Sequence, residues 1–111
     1  MIRIEAIWLS SEPLDMRCGP DTALARVVQV FGQARRHHAY LFANRRANRM
    51  KVLVHDGMGL WLCARRLHQG SFVWSRPGSP ATLALTDDQL QALVIGLPWH
   101  RLDADGAICV L

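Results

Sequence analysis

From Arg3 to Leu9 apolar and polar side chains alternate, with Ile4, Ala6 and Trp8 on one side, and the segment reads as a strand. The turn-rich stretch SSEPLDMRCGP follows. Leu24, Val27, Val28 and Phe31 then recur at i, i+3, i+4 and i+7, the apolar stripe of an amphipathic helix. Pro20 suits its first turn, Asp21 favours the positive end of its dipole, and Gly32 stops it. After the basic stretch QARRHH, the runs AYLFAN, MKVLVH and LWLCARRL read as three strands. RRANR is the polar loop between the first two, and DGMG the hairpin turn between the second two. HQGSFVWSRPGSP holds at most one short aromatic strand before a Pro/Gly/Ser connector, and TLAL adds a short edge strand. Thr86-Asp87-Asp88-Gln89 is a capping box, in which the Thr86 hydroxyl accepts from the Gln89 amide and the Gln89 side chain reaches back. Leu90, Leu93, Val94 and Leu97 repeat the helical stripe, and Gly96 with Pro98 ends it.

The order β-α-β-β-β-β-α predicts an α+β fold over residues 1–111 as one small domain. The expected sheet is mainly antiparallel, of four to six strands, with both helices packed on one face. The loop length of the DGMG hairpin sets its register. A two- or four-residue loop puts Met50, Val52, Val54, Trp61 and Cys63 on a core face. The other face then carries Arg49, Lys51, His55 and Arg66, with Leu53, Leu60 and Leu62 between them. A three-residue loop instead moves Trp61 and Arg65 beside Lys51 and His55. Either register leaves a basic cluster on one sheet face, with Arg45 and Arg46 at the adjacent loop.

Composition narrows the classes. The chain has 111 residues, 50% hydrophobic and 20% charged, which fits one compact core rather than a disordered or fibrous chain. No apolar run approaches the roughly 20 residues of a spanning helix, and the N-terminus lacks a signal-peptide core, so the expectation is a cytoplasmic protein with no membrane partner. Cys18, Cys63 and Cys109 are far apart without metal-ligand spacing and are expected as free, mostly buried thiols. Residues 1–76 hold 12 of the 13 Lys and Arg and 5 acids, a balance of +7, whereas residues 77–111 hold 1 and 4, a balance of −3. Twelve of the thirteen basic residues are arginine, which suits bidentate phosphate contact.

Catalytic and metal-binding readings find little support. Asp15, Asp21 and Asp56 are candidate metal carboxylates, but nothing fixes three of them at one point. Each also has a local use: Asp15 paired with an arginine or capping a turn, Asp21 opening a helix, Asp56 making the hairpin turn. His37-His38 and His55 read as part of a basic loop rather than as zinc ligands, since adjacent positions on a strand point apart. No metal and no cofactor is expected. Asp15 and Arg17 either form a local ion pair or present Arg17 outward.

Taken in order, Leu14-Asp15-Met16-Arg17, Gly19, Phe42, Asn44-Arg45-Arg46, Arg49 to Leu53, Asp56 to Leu60, Arg65-Arg66-Leu67, Gly70, Phe72 and Trp74 carry a resemblance. So does the closing helix, Leu90 through Leu97 and then Trp99. The chain resembles the TnpB accessory proteins of the sixty-six family of bacterial insertion sequences, which are distinct from the much longer RNA-guided nucleases of the same name. It departs from their pattern at Cys18, Pro20 and His55, and in the order of Trp61 and Cys63. The resemblance implies a non-enzymatic accessory protein for transposition, encoded beside a separate transposase. The first expectation is DNA binding, with Arg17, Arg45, Arg46, Arg49, Lys51, Arg65 and Arg66 on phosphates. The alternative is a protein-interaction module that binds the transposase, or self-associates as a homo-oligomer, without touching DNA.

Overall fold

A computed structural model describes residues 3–75 and 78–101. Among these residues five strands form one sheet: β1 (Ala6–Ser10), β2 (His38–Ala43), β3 (Arg49–His55), β4 (Leu60–Arg66) and β5 (Thr82–Leu85). Two helices, α1 (Pro20–Phe31) and α2 (Asp87–Val94), and a 3-10 turn over Trp99–Arg101 complete the order β-α-β-β-β-β-α. The spatial order is β4-β3-β2-β1-β5. β1 and β2 run parallel, whereas β1–β5, β2–β3 and β3–β4 are antiparallel. The parallel pair needs a long crossover, and α1 supplies it. The sheet is therefore mixed and mainly antiparallel, with TLAL at one edge as its composition predicts.

The two helices do not share a face. On one side of the sheet Ile7, Leu9, Ala39, Leu41, Met50, Val54 and Leu85 pack with Leu93 of α2 and with Phe72 and Trp99. On the other, Tyr40, Phe42 and Leu53 pack with Ala23 and Val27 of α1 and with Leu14. The expectation of both helices on one face is thus corrected, and the reason lies in β2. Five of its six residues are buried, because it is apolar at consecutive positions. A strand buried on both sides needs a cover on both sides.

The helix limits follow their local signals. Gly32 adopts φ 85° and its N–H donates to the Val28 carbonyl, ending α1. Thr86 and Gln89 form both bonds of the capping box, at 3.1 and 2.9 Å. At the other end of α2, Gly96 N–H donates to Leu93 O and Leu97 N–H to Ala92 O, a Schellman closure. The stripe on α1 is rotated slightly from the expected one. Ala23 and Val27 are buried and Val30 joins Leu24 and Phe31 against the core, while Val28 is 47% exposed. Leu97 falls beyond the end of α2 and is exposed, so it is not part of that stripe. The aromatic segment 67–75 forms no strand. It lies as irregular cover, with the Trp74 indole donating to Ser10 O at 2.8 Å.

The thiols also differ from expectation. Cys63 is exposed and Cys18 only half-buried, because β4 is an edge strand and Cys18 sits in the loop before α1; Cys109 lies outside the described residues.

The rotation of α1 has a measurable consequence. Val27→Ala should lower unfolding stability by about 2 kcal/mol from lost burial and the resulting cavity. Val28→Ala should change it by no more than about 0.5 kcal/mol. Urea titrations of the two variants check this, and equal losses would contradict the packing described.

Candidate nucleic-acid interface

The β2–β3 connection is a tight turn built on Asn44. Its Oδ1 accepts from Asn48 N–H at 3.1 Å and from Arg49 N–H at 3.2 Å, and its Nδ2 donates to Asn48 Oδ1 at 2.7 Å. Ala47 N–H donates to Asn44 O at 3.0 Å, with Ala47 in the left-handed region at φ 54°. That conformation costs a residue with a Cβ about 1 kcal/mol or more. It is held from outside the turn, because Phe72 N–H donates to Ala47 O and Leu67 N–H to Asn48 O. Arg45 and Arg46 occupy the middle of this braced turn, and both are exposed.

The sheet register follows the four-residue loop. His55 lies opposite Leu60, Val54 opposite Trp61, and Val52 opposite Cys63. Asp56 N–H donates to Gly59 O across the loop. Asp56 Oδ1 accepts from Met58 and Gly59 N–H at 2.9 and 2.8 Å, and Oδ2 from the Trp61 indole at 3.0 Å. These donors, the two backbone amides first, hold the Asp56 carboxyl below the usual carboxylate range. Trp61 shares the face of Met50, Val52 and Val54 but is 47% exposed, since the cover on that side does not extend across the edge strand.

Arg49, Lys51 and Arg66 share the α1 side of the sheet, and Arg49 lies directly opposite Arg66. Like charges in directly opposed positions repel, which destabilises a hairpin. Among the described residues no hydrogen bond or ion pair engages the side chains of Arg45, Arg46, Arg49 or Arg66. Lys51 is partly occupied: its Nζ donates to Cys18 O at 2.8 Å. Arg65 points to the opposite face, where its Nε donates at 2.6 Å to Val94 O at the C-terminal end of α2. Cations are favoured there by the helix dipole.

Arg17 and Asp15 form the local ion pair, with guanidinium–carboxylate bonds of 3.2 and 3.2 Å and an Arg17 N–H to Asp15 Oδ1 bond of 2.9 Å. The Arg17 bonds hold the Asp15 carboxyl below its ordinary value, and the carboxylate raises that of Arg17. Both side chains are largely exposed, so the pair orients Arg17 more than it stabilises the fold.

Several of these groups line two neighbouring hollows. An open groove of about 540 Å³ is lined by Asp15, Met16, Arg17, Arg26, Asn44, Arg45 and Arg49 among others. A smaller hollow of about 270 Å³ is lined by Met16, Arg49, Met50, Lys51, Ala64, Arg65 and Arg66. Met16 and Arg49 belong to both. Of the seven basic residues singled out in the sequence, six line these hollows, and Arg46 projects from the turn beside them. Arg26 joins the groove unannounced by any motif. It stands on α1, and its Nη2 donates to Pro13 O at 3.0 Å, a contact that exists only because residues 11–19 fold back along the helix.

The model of a family described as IS66 Orf2 like protein matches residues 5–104. The chain belongs to that family. Membership ties it to insertion sequences and to an accessory role in transposition, working with a transposase. Two uncharacterized proteins of Sinorhizobium fredii are similar to it. One, y4hO, is 32% identical over 96 residues, covering 86% of this chain and 83% of its own length. The other, y4jC, is 26% identical over 97 residues, covering 86% and 82%. No solved structure matches the chain. The family's ordered motifs now have places in the fold: the Asp15-Met16-Arg17 segment, the Asn44-Arg45-Arg46 turn and the Arg49 strand all border the larger groove. Among the described residues no helix is long and apolar enough to cross a membrane.

The Asp56 bonds set an acid sensitivity. The folded carboxyl releases its proton more readily than the unfolded one, so its stabilisation is present above the ordinary carboxylate range and is lost as pH falls through the lowered folded value. The thermal stability of the parent protein should therefore fall more steeply below about pH 4 than that of Asp56→Asn. Parallel melts of the two proteins from neutral to acid pH test this; identical acid profiles would contradict it.

Proposed function

We propose that this accessory protein binds DNA through its phosphate backbone, using the basic surface around the β2–β3 turn. One observation carries the reading: Arg49 and Arg66 are directly opposed across a strand pair, with no acid among the described residues engaging either. A protein gains nothing from that repulsion in isolation, and a polyanion laid across the pair relieves it. Arg45 and Arg46 extend the surface from a turn already fixed by Asn44, so little backbone ordering is left to be lost on binding. Asp15 is the carboxylate lining the groove, and Arg17 already holds it.

Within this surface the roles differ. Arg45, Arg46, Arg49 and Arg66 are the primary phosphate contacts. Arg17 and Lys51 are secondary, since each already has a protein partner. Arg65 anchors the end of α2, and its side chain lies on the opposite face of the sheet from Arg49 and Arg66, which leaves it a peripheral contact. Contacts of this type position DNA without reading its sequence. The reading is non-enzymatic: Asp15 and Asp56 hold backbone amides, and Asp21 lies in the first turn of α1.

Fluorescence-polarisation titrations over a salt series test the proposal. Binding should weaken steeply with salt, and Arg49→Ala with Arg66→Ala should lower the logarithmic slope by about 1.8, near 0.9 per phosphate contact. Asn44→Ala removes no charge but loosens the turn, so it should weaken binding while leaving the slope unchanged. No binding at low salt, or a slope untouched by the double arginine variant, would overturn the reading.

A further inference from the structure

The sheet has two edges, and they are unlike. β5 has four residues, a length that itself discourages pairing with another chain. β4 has seven, and Trp61 and Cys63 through Arg66 along it are exposed. No backbone hydrogen bond among the described residues closes its outer side.

The ladder fixes which groups face outward. Asp56 N–H donates to Gly59 O, and Leu67 N–H donates to Asn48 O, in one continuous β3–β4 register. Hydrogen-bonded pairs alternate in an antiparallel ladder, so Trp61, Cys63 and Arg65 bond towards β3. The N–H and C=O of Leu60, Leu62, Ala64 and Arg66 are therefore left to the free edge.

We propose that this edge is an interface for a second copy of the chain, two β4 strands pairing antiparallel about a two-fold axis at Cys63. This two-fold register is the one that uses all seven residues. Leu60 then faces the partner's Arg66, Leu62 faces the partner's Ala64, and the outward backbone groups are satisfied reciprocally. Trp61 faces the partner's Arg65. That guanidinium is already steadied by its bond to Val94 O, and it meets the π-face of an exposed indole. No two like charges oppose each other. A parallel in-register pairing would instead stack Arg65 on Arg65 and Arg66 on Arg66, so the charge pattern selects the closed dimer over an open stack. The Cys63 pair occupies a site without ladder hydrogen bonds, where Cα atoms approach to about 4.5 Å and a disulfide can close.

The test uses the full-length protein without DNA, so its outcome is separate from that of the DNA-binding proposal. Sedimentation equilibrium under reducing conditions should give twice the 12.5 kDa chain mass at about 100 µM. Diamide, taking two electrons and two protons from a pair of Cys63 thiols, should yield a cross-linked dimer. The cross-link should persist in Cys18→Ser and Cys109→Ser and vanish in Cys63→Ser. Ala64→Pro removes an N–H that faces only the free edge, and Cys63→Lys sets two cations at the axis; each should raise the dimer dissociation constant at least tenfold, a change of about 1.4 kcal/mol. Cys63 is exposed, so Cys63→Lys decides the matter if Ala64→Pro does not fold. A monomer under these conditions, or a dimer unchanged in Cys63→Lys, would overturn the proposal.

Discussion

The burial of β2 on both of its faces is the constraint from which the rest of the structure follows. It is the central strand of five, with Tyr40 and Phe42 on one side and Ala39 and Leu41 on the other. Neither side tolerates water, so each must be covered by a different part of the chain. The crossover between β1 and β2 supplies α1 to the first. The long segment after β4, together with α2 and Trp99, supplies the second. Once those covers are placed, the outer strands receive less of them, and β4 is left with exposed side chains.

That gradient of cover explains where the basic residues collect. The β2–β3 turn lies at the end of β2, the best-buried strand, so its backbone is well anchored while its arginine side chains reach solvent. Asn44 converts the anchoring into a fixed turn, and the docking of Leu67 and Phe72 N–H against it ties the arginines to the cover on the far side of the sheet. The strain at Ala47 and the opposition of Arg49 and Arg66 are both unfavourable locally. They persist because the surrounding core over-determines the position of the turn.

Much of the fold was legible in the residues themselves, where the signal is local. Pro20 and Gly32 bounded α1, Thr86 and Gln89 opened α2, and Asp56-Gly57 turned the hairpin. The grouping of Arg17, Arg45 and Arg49 could be suspected from the family motifs, but not their shared groove with Arg26, which needs residues 11–19 folded back on α1. The separate fates of Arg65 and Arg66 were equally hidden. They are neighbours in sequence, yet strand alternation sends one to the α2 end and the other to the basic face.

The amino-acid sequence by itself determined the elements, their caps, the turn chemistry and membership of an insertion-sequence family, because these rest on contacts within a few residues or on ordered motifs. The tertiary structure alone decided that the helices lie on opposite faces, that Val28 and Trp61 are exposed, and that Arg49 confronts Arg66. Periodicity says that a residue has an apolar side. What covers that side is set by which distant segment arrives there, and here the two-sided demand of β2 left too little cover to reach the outer edge of β4.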